Sequence, residues 1–424
     1  MVPLIAIGPS WAVWPSLADI SAVLMVPIVL LDWRFQPYSS RQNRNLWRLA
    51  AFITIGCAAS YAAFMSGLFG TAEIGKGWAF GVFQVLRIME FLLVCLVSTN
   101  VELNESRLHR LRRLTLWVFL GIACGVLLTF TGIVPTRLVA SHLPSALNTA
   151  GPWSSYSTGD LAQGVGFIGY NHGYTAVQLL LAAALCLHFG PRKMSTRFSV
   201  VGLLLVTTLL TGSRAGFLCA IVWVVAMEAK KPTALILGLA AASLLAVTLM
   251  NIDEDALSKA LERQTSSTDS YEQDGFSGRT EIWQDRVSFL SAEPHRWLIG
   301  GGFGSAVESG NNAHMLYLQL ILEVGIVGLG AFLIYELMVL KYLFRYEGHG
   351  RPLFWLTIVL LLSSFSQETL YPVAAFSHLL GFYVCIVAIG CRARPAMQSA
   401  PGSLVFQQTL IHARALVLSP TSGN

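Results

Sequence analysis

Two arginines stand out among the residues that could do chemistry, one at the edge of an apolar run and one in a long polar segment. Arg214 lies in the segment Thr211–Gly216, whose small residues leave room around a guanidinium group, and Arg279 precedes an amphipathic stretch. A charge at the end of an apolar helix is costly unless it has a partner or a function, and a guanidinium group binds phosphate through two parallel hydrogen bonds. The two arginines therefore predict a phosphate site. Snorkelling of Arg214 to the membrane interface and a surface salt bridge for Arg279 are the alternatives.

His314 lies where a polar segment meets the next apolar run. Its imidazole titrates near neutral pH, so it could remove the proton of a sugar hydroxyl group; a purely structural histidine is the alternative. The preceding turn Gly300–Gly304 either directs backbone N–H groups at an oxyanion or lets the loop pack closely. Glu323 is about half a turn out of phase with His314 on an ideal helix, so we predict that the two residues do not share a face.

A second polar group consists of Tyr170, Asn171 and His172, at the start of another apolar run. Hydroxyl, amide and imidazole groups suit sugar binding, although aromatic residues at a membrane interface explain the tyrosine equally well. The acidic triplet 253–255 has no matching cluster of His or Asp, so we interpret it as a solvated helix start. The sequence predicts neither a metal site nor a cofactor.

The composition shows which elements must position these groups. Only 12% of the 424 residues are charged and 54% are hydrophobic, which leaves too few charges to cover a soluble protein of this size. Runs of about 20 apolar residues recur, as expected for transmembrane helices. The sequence therefore predicts an all-α polytopic membrane protein with about 11–12 transmembrane helices. The predicted spans are residues 12–32, 49–69, 78–98, 114–134, 173–189, 197–212, 215–229, 232–250, 315–339, 352–367 and 371–391.

The positive charges predict the orientation of these helices. Lys and Arg cluster in alternate connections, such as residues 34–48 and 107–113, and cationic connections are retained in the cytoplasm. Arg214, Arg279 and His314 then lie on the external side. The predicted organisation is residues 1–250 as transmembrane helices with an external loop at 135–172, residues 251–314 as a large periplasmic loop or lid, residues 315–391 as C-terminal transmembrane helices, and residues 392–424 as a cytoplasmic tail.

Taken in chain order, four features resemble the bacterial O-antigen ligase and O-antigen (exopolysaccharide) polymerase superfamily. They are the arginine-bearing turn Thr211–Gly216, the Gly-Arg-x-x-x-Trp segment Gly278–Trp283, the glycine-rich turn Ile299–Gly304 and the segment Ala313–Gly328. The last segment reads Ala-His-Met-Leu-Tyr-Leu-Gln-x-x-x-Glu-x-Gly-x-x-Gly. The resemblance covers about residues 170–335. Met315 departs from it, because the family commonly has Asn after the histidine.

The resemblance implies a metal-independent membrane glycosyltransferase of GT-C-like architecture, in which a periplasmic loop closes over a lipid-linked donor. Arg214 and Arg279 match the family arginines held to engage undecaprenyl diphosphate, and His314 matches the proposed general base. The implied acceptor is another lipid-linked glycan or lipid A core, with a slight preference for polymerase over ligase. The implied location is the bacterial inner membrane with a periplasmic active site, and nucleic acid is not an expected partner.

Two other functions remain open at this level. A lipid-linked sugar flippase or solute transporter would use Arg214 and Arg87 as substrate sites, and it predicts inverted repeats and helices broken at the membrane midplane. A structural subunit of an envelope complex would leave Arg214, Arg279 and His314 far apart.

Overall fold

The computed structural model describes nine helices and their flanking turns. The described residues are 41–66, 84–90, 105–131, 172–189, 194–228, 279–305, 313–345 and 351–371, with isolated positions Leu24, Pro27, Leu92, Ile133 and Tyr383. The helices are α1 (Arg41–Met65), α2 (Glu105–Phe130), α3 (His172–Phe189), α4 (Met194–Leu210), α5 (Arg214–Glu228), α6 (Arg279–Ala292), α7 (His295–Ile299), α8 (Leu316–Arg345) and α9 (Arg351–Ser363). Residues 84–90 are helical as well, and none of the described residues forms a β-strand.

Three of these helices are long and apolar enough to cross a membrane. Their apolar segments are Arg48–Met65 in α1, His109–Phe130 in α2 and Leu316–Phe344 in α8. Helices α3, α4, α5 and α9 contain shorter apolar segments. Since each helical residue adds 1.5 Å and a bilayer core is about 30 Å thick, these three helices have the length a span requires. The prediction of an all-α membrane protein is confirmed.

Seven of the predicted spans correspond to helices of the structure. They are 49–69, 114–134, 173–189, 197–212, 215–229, 315–339 and 352–367, which match α1, α2, α3, α4, α5, α8 and α9. Span 78–98 is described mainly over residues 84–90, and spans 12–32, 232–250 and 371–391 lie outside the described residues apart from isolated positions. Most of loop 135–172, residues 251–278 and the tail 392–424 also lie outside them, so the predicted division into domains stays a prediction.

Helix α3 forms the centre of the bundle. Residues 176–184 are almost completely buried, and α3 packs against α2, α4, α5 and α9. A helix that is apolar all round is expected in such a position, and its alanines let neighbouring helices approach closely. Trp223 of α5 is fully buried and donates its Nε1–H to the carbonyl oxygen of Pro352 at 2.9 Å, which ties α5 to the start of α9.

One end of the bundle gathers the starts of α3, α5 and α8. A Cβ atom at Gly216 would collide with Ala176, so the first turns of α5 and α3 are in close contact. A Cβ atom at Gly173 would collide with the side-chain amide of Gln367, which follows α9. The N–H of Leu316 donates to the carbonyl oxygen of Ser364 at 2.9 Å and joins the start of α8 to the same turn. Helix N-termini carry a partial positive charge, so this end favours anions.

Candidate active site

His314 lies immediately before α8 at this end of the bundle. Its side chain is 50% exposed, and its backbone φ of 51° is in the left-handed region. For a residue with a Cβ atom this conformation costs roughly 1–2 kcal/mol, so it persists where the surrounding structure fixes it. The fixing bonds lie on both sides: the N–H of Ala313 donates to Gln319 Oε1 at 3.0 Å, and the N–H of Leu316 is held by Ser364.

Glu368 lies near the His314 imidazole and was not among the site residues predicted from the sequence. Its carboxyl is 2% exposed, and Oε1 lies 3.9 Å from His314 Nδ1, a charge contact when the imidazole is protonated. Within the part of the chain that the structure describes, this oxygen has no hydrogen-bond partner. The contact is too long for a hydrogen bond. It places a carboxyl beside Nδ1.

The surroundings shift the pKa of both groups. Burial raises the pKa of Glu368 to about 7, although its own backbone N–H, the charge of Arg279 and the N–H groups of His314 and Met315 act in the opposite direction. Burial also lowers the pKa of His314 below its ordinary value of 6.5, and the charge of Arg279 adds to this effect. A neutral imidazole at neutral pH has a free lone pair, which a general base requires.

Arg279 shares this site with His314. It is the first residue of α6, half-buried, and its charge acts on both His314 and Glu368. One turn later, Trp283 donates its Nε1–H to the carbonyl oxygen of Ala313 at 2.9 Å. Because residues four apart share a helix face, the bond that anchors Trp283 also directs Arg279 towards the His314 segment.

Arg214 occupies the tight reversal between α4 and α5. Gly212, with φ of 70°, ends α4, and Ser213 Oγ accepts the N–H of Gly216 at 3.1 Å as the N-cap of α5. Arg214 is the first residue of α5 and is half-buried. It therefore lies where α5 meets the start of α3, and Gln367 connects that start to Glu368. Arg214 thus lies at the end of the bundle where α3 and α5 start, the end that also holds Gln367.

The proposed sugar-binding residues fall almost entirely outside the described part of the chain. Tyr170 and Asn171 are not described, and only the backbone of His172 is, as the first residue of α3. The backbone of His172 borders the Gly173–Gln367 contact. A sugar-binding role for these residues stays a prediction.

The glycine-rich turn Gly300–Gly304 packs closely against α8, as one of the two interpretations of its sequence predicted. Helix α8 is kinked at Gly325, where φ is 68°, and the kink frees the carbonyl groups of Leu322 and Glu323 from their helical partners. The N–H groups of Gly301 and Gly302 donate to these carbonyls at 2.7 and 3.0 Å. A Cβ atom at Gly300 or Gly325 would collide with the opposing backbone. These N–H groups therefore bind α8 and not an oxyanion.

Glu323 belongs to the hydrogen-bond network behind His314. Gln319 Nε2 donates to Glu323 Oε1 at 2.9 Å, and Tyr371 donates its hydroxyl to Glu323 Oε2. Among the described residues, no three side chains of the metal-ligating types come together as a possible metal site.

One comparison with known proteins bears on this site. Residues 199–333 match the family model described as O-Antigen ligase. The matched segment runs from α4 into α8 and contains Arg214, Arg279 and His314, whereas Glu368 lies beyond it. No curated protein matches the sequence at a significant level.

Proposed function

Because residues 199–333 match the family model described as O-Antigen ligase, we propose that this chain transfers a glycan from an undecaprenyl diphosphate-linked donor to an acceptor hydroxyl group in polysaccharide assembly. The observation that carries this proposal is the group formed by His314, Glu368 and Arg279. It combines a neutral imidazole, a buried carboxyl behind it and a cation, at the end of the bundle where helix N-termini gather. These are the parts that a displacement at an anomeric carbon requires.

His314 acts as the general base in this proposal. Nε2 accepts the proton of the acceptor hydroxyl while its oxygen forms a bond to the anomeric carbon of the donor. Glu368 stabilises the resulting imidazolium through Nδ1, since their separation of 3.9 Å closes easily when the imidazole becomes charged. The contribution of such a base to the rate is typically about 10²–10⁴-fold.

The leaving group is the lipid diphosphate. The bond between the anomeric carbon and the diphosphate oxygen breaks, and its electron pair departs with the diphosphate. Arg279 and Arg214 stabilise this developing charge, together with the positive ends of α3 and α5. No metal ion takes part in the proposed step.

The charges of α8 support a periplasmic site. Lys341 and Arg345 lie at the end of α8 that is farthest from His314. Cationic ends are retained in the cytoplasm, so His314 faces the periplasm if α8 crosses the bacterial inner membrane. In this proposal the lipid-linked glycan donor and the acceptor bind at this same face.

Two acceptors fit this chemistry. A lipid-linked repeat unit makes the protein a polymerase, and lipid A core makes it a ligase. We retain the slight preference for polymerase, which rests on the segment Tyr170–Tyr174. Expression of the chain in strains lacking either activity separates the two, because rescue of one strain assigns the acceptor.

The test of the proposed reaction compares His314→Ala with His295→Ala in a strain that the wild-type chain rescues. His295 is a matched control, since it is a similarly exposed histidine of α7 that pairs with Glu293 outside the site. We expect His314→Ala to abolish visible glycan on gels and His295→Ala to retain it, at equal protein levels on blots. Movement of lipid-linked glycan across the membrane without transfer would favour a flippase or transporter instead.

A further inference from the structure

A chain of buried hydrogen bonds lies directly behind His314. Gln319 and Glu323 are completely buried in the first half of α8, and Tyr371 is buried in the turn after α9. We propose that Glu323 is a positioning residue that orients the Gln319 amide and, through Ala313, holds His314 in its catalytic position. This inference rests on the proposed role of His314, and it assigns a function to two residues of the Ala313–Gly328 motif that the reaction itself does not use.

The first link fixes the carboxyl of Glu323. Oε1 accepts a hydrogen bond from Gln319 Nε2 at 2.9 Å, and Oε2 accepts the hydroxyl of Tyr371. Its backbone carbonyl accepts the N–H of Gly302 at 3.0 Å. Both carboxyl oxygens and the main chain of Glu323 are therefore engaged by three different segments.

The second link fixes the orientation of the Gln319 side chain. An amide has one end that donates and one that accepts, and its environment decides which way it points. Because Glu323 Oε1 accepts, it selects the Gln319 rotamer in which Nε2 faces the carboxyl. Oε1 of Gln319 is then directed at the backbone of Ala313, whose N–H it accepts at 3.0 Å.

The third link reaches the catalytic histidine and α6. The carbonyl of Ala313 accepts the indole N–H of Trp283. The backbone carbonyl and N–H of Ala313 are therefore both held by side chains, those of Trp283 and Gln319. His314 follows immediately with its left-handed backbone. Since such a conformation requires support from its surroundings, loss of the Gln319 bond lets the segment relax and displaces the imidazole from Glu368 and Arg279.

Helix α8 also contains a matched control. Glu336 is a second buried glutamate, and its Oε2 accepts the hydroxyl of Tyr383 at 2.6 Å. The Tyr383 hydroxyl lies 3.4 Å from Thr357 Oγ1 of α9. Glu336 thus repeats the glutamate–tyrosine pair of Glu323 and Tyr371 but lies in the other half of α8, beyond the kink and away from His314.

The first experiment measures the position of His314 without any transfer reaction. Diethyl pyrocarbonate modifies neutral imidazole, so the modification rate of His314, followed by mass spectrometry against pH, reports its pKa in the full-length protein in nanodiscs. In the wild type we expect a midpoint below 6.5, because of burial and Arg279. In Glu323→Gln and Gln319→Leu we expect the midpoint to move up towards 6.5, whereas Glu336→Gln keeps the wild-type value.

The second experiment measures transfer from undecaprenyl diphosphate-linked glycan extracted from cells that lack this protein. We expect Glu323→Gln and Gln319→Leu to lower kcat by roughly 10–100-fold with little change in KM for the donor, as displacement of a catalytic group does. Tyr371→Phe and its control Tyr383→Phe repeat the comparison with a milder change, in case a variant at Glu323 fails to fold.

Two results overturn the inference: an unchanged His314 midpoint in folded Glu323→Gln, Gln319→Leu and Tyr371→Phe, or equal effects of the Glu323 and Glu336 variants. Equal effects would mean that both glutamates support the helix alone. If the midpoint shifts while the wild type transfers no glycan, the positioning network is correct and the proposed function is wrong. The two claims therefore fail separately.

Discussion

At the scale of single residues, Glu368 is expected to make the activity of the site depend on pH. Its carboxyl lies behind the imidazole of His314, and burial raises its pKa to about 7. The ionised form stabilises an imidazolium, and the protonated form does not. The activity of this site is therefore expected to depend on Glu368 in the neutral pH range.

The first prediction concerns this pH dependence. Because Glu368 must be ionised and His314 neutral, we expect kcat/KM to rise with pH and to show an inflection near 7 in the wild type. In Glu368→Gln we expect the inflection near 7 to disappear and the rate to be lower at every pH. The inflection that remains is due to His314 and lies below pH 6.5. Retention of the inflection near 7 in Glu368→Gln would assign it to another group.

The same shift predicts the sign of a stability change. The folded protein holds a proton on Glu368 up to about pH 7, whereas the unfolded chain releases it near 4.5, so this group makes the protein less stable as pH rises through that window. We expect Tm to fall less steeply between pH 4.5 and 7 in Glu368→Gln than in the wild type. Parallel Tm profiles in thermal unfolding of the two proteins would contradict the raised pKa.

Arg279 is expected to act both through its charge and through its geometry. Its charge lowers the pKa of His314 and of Glu368, so Arg279→Ala is expected to shift the pH–rate profile to higher pH. Arg279→Lys keeps the charge but loses the planar fork that binds phosphate, so we expect an unchanged profile with a rate lower by about 10²-fold. A full rate in Arg279→Lys would show that the charge alone suffices.

At the scale of the elements, the kink of α8 joins this helix to the turn after α7. Gly325 opens the helix, and the turn after α7 donates its N–H groups to the freed carbonyls of Leu322 and Glu323. The sequence predicted helix α8 and the close packing of the glycines as one of two possibilities. It did not predict the kink, because the need for a left-handed residue at Gly325 arises from a backbone contact with Leu298.

Two glycines of α8 test this arrangement. An alanine at position 325 would have to adopt a left-handed backbone, which costs roughly 1–2 kcal/mol for a residue with a Cβ atom. Its Cβ atom would also collide with the carbonyl of Leu298. We expect Gly325→Ala to lower Tm and abolish transfer. Gly330→Ala is the control, since open space surrounds that position and alanine favours a helix, so its Tm is expected to stay equal or rise. Similar behaviour of the two variants in thermal unfolding would contradict the kink.

Helix phase explains why the link between Glu323 and His314 was missed. On one continuous helix the two residues would be out of phase, but α8 begins at Leu316, so His314 lies outside it. The connection runs instead through Gln319, which is four residues before Glu323 and accepts the N–H of Ala313. Side-chain relays of this kind depend on rotamers, which a residue spacing does not specify.

At the scale of the whole molecule, the apolar runs predicted most of the membrane helices. The polar residues between those runs predicted part of the site. Hydropathy located the seven spans that match α1, α2, α3, α4, α5, α8 and α9. Arg279 and His314 were expected in one site, and the structure brings them into electrostatic contact. Glu368 was missed because it follows His314 by more than fifty residues and lies in a short turn between two predicted spans. A lone acid between two predicted spans was the available signal.

The measurement that tests the central claim most directly is glycan transfer by purified His314→Ala in proteoliposomes, with extracted undecaprenyl diphosphate-linked glycan as donor and His295→Ala as control. The proposed base predicts a loss of at least about 10²-fold for His314→Ala at unchanged donor affinity, with near wild-type rates for the control. A folded His314→Ala protein that transfers glycan at the wild-type rate would show that His314 is not the base.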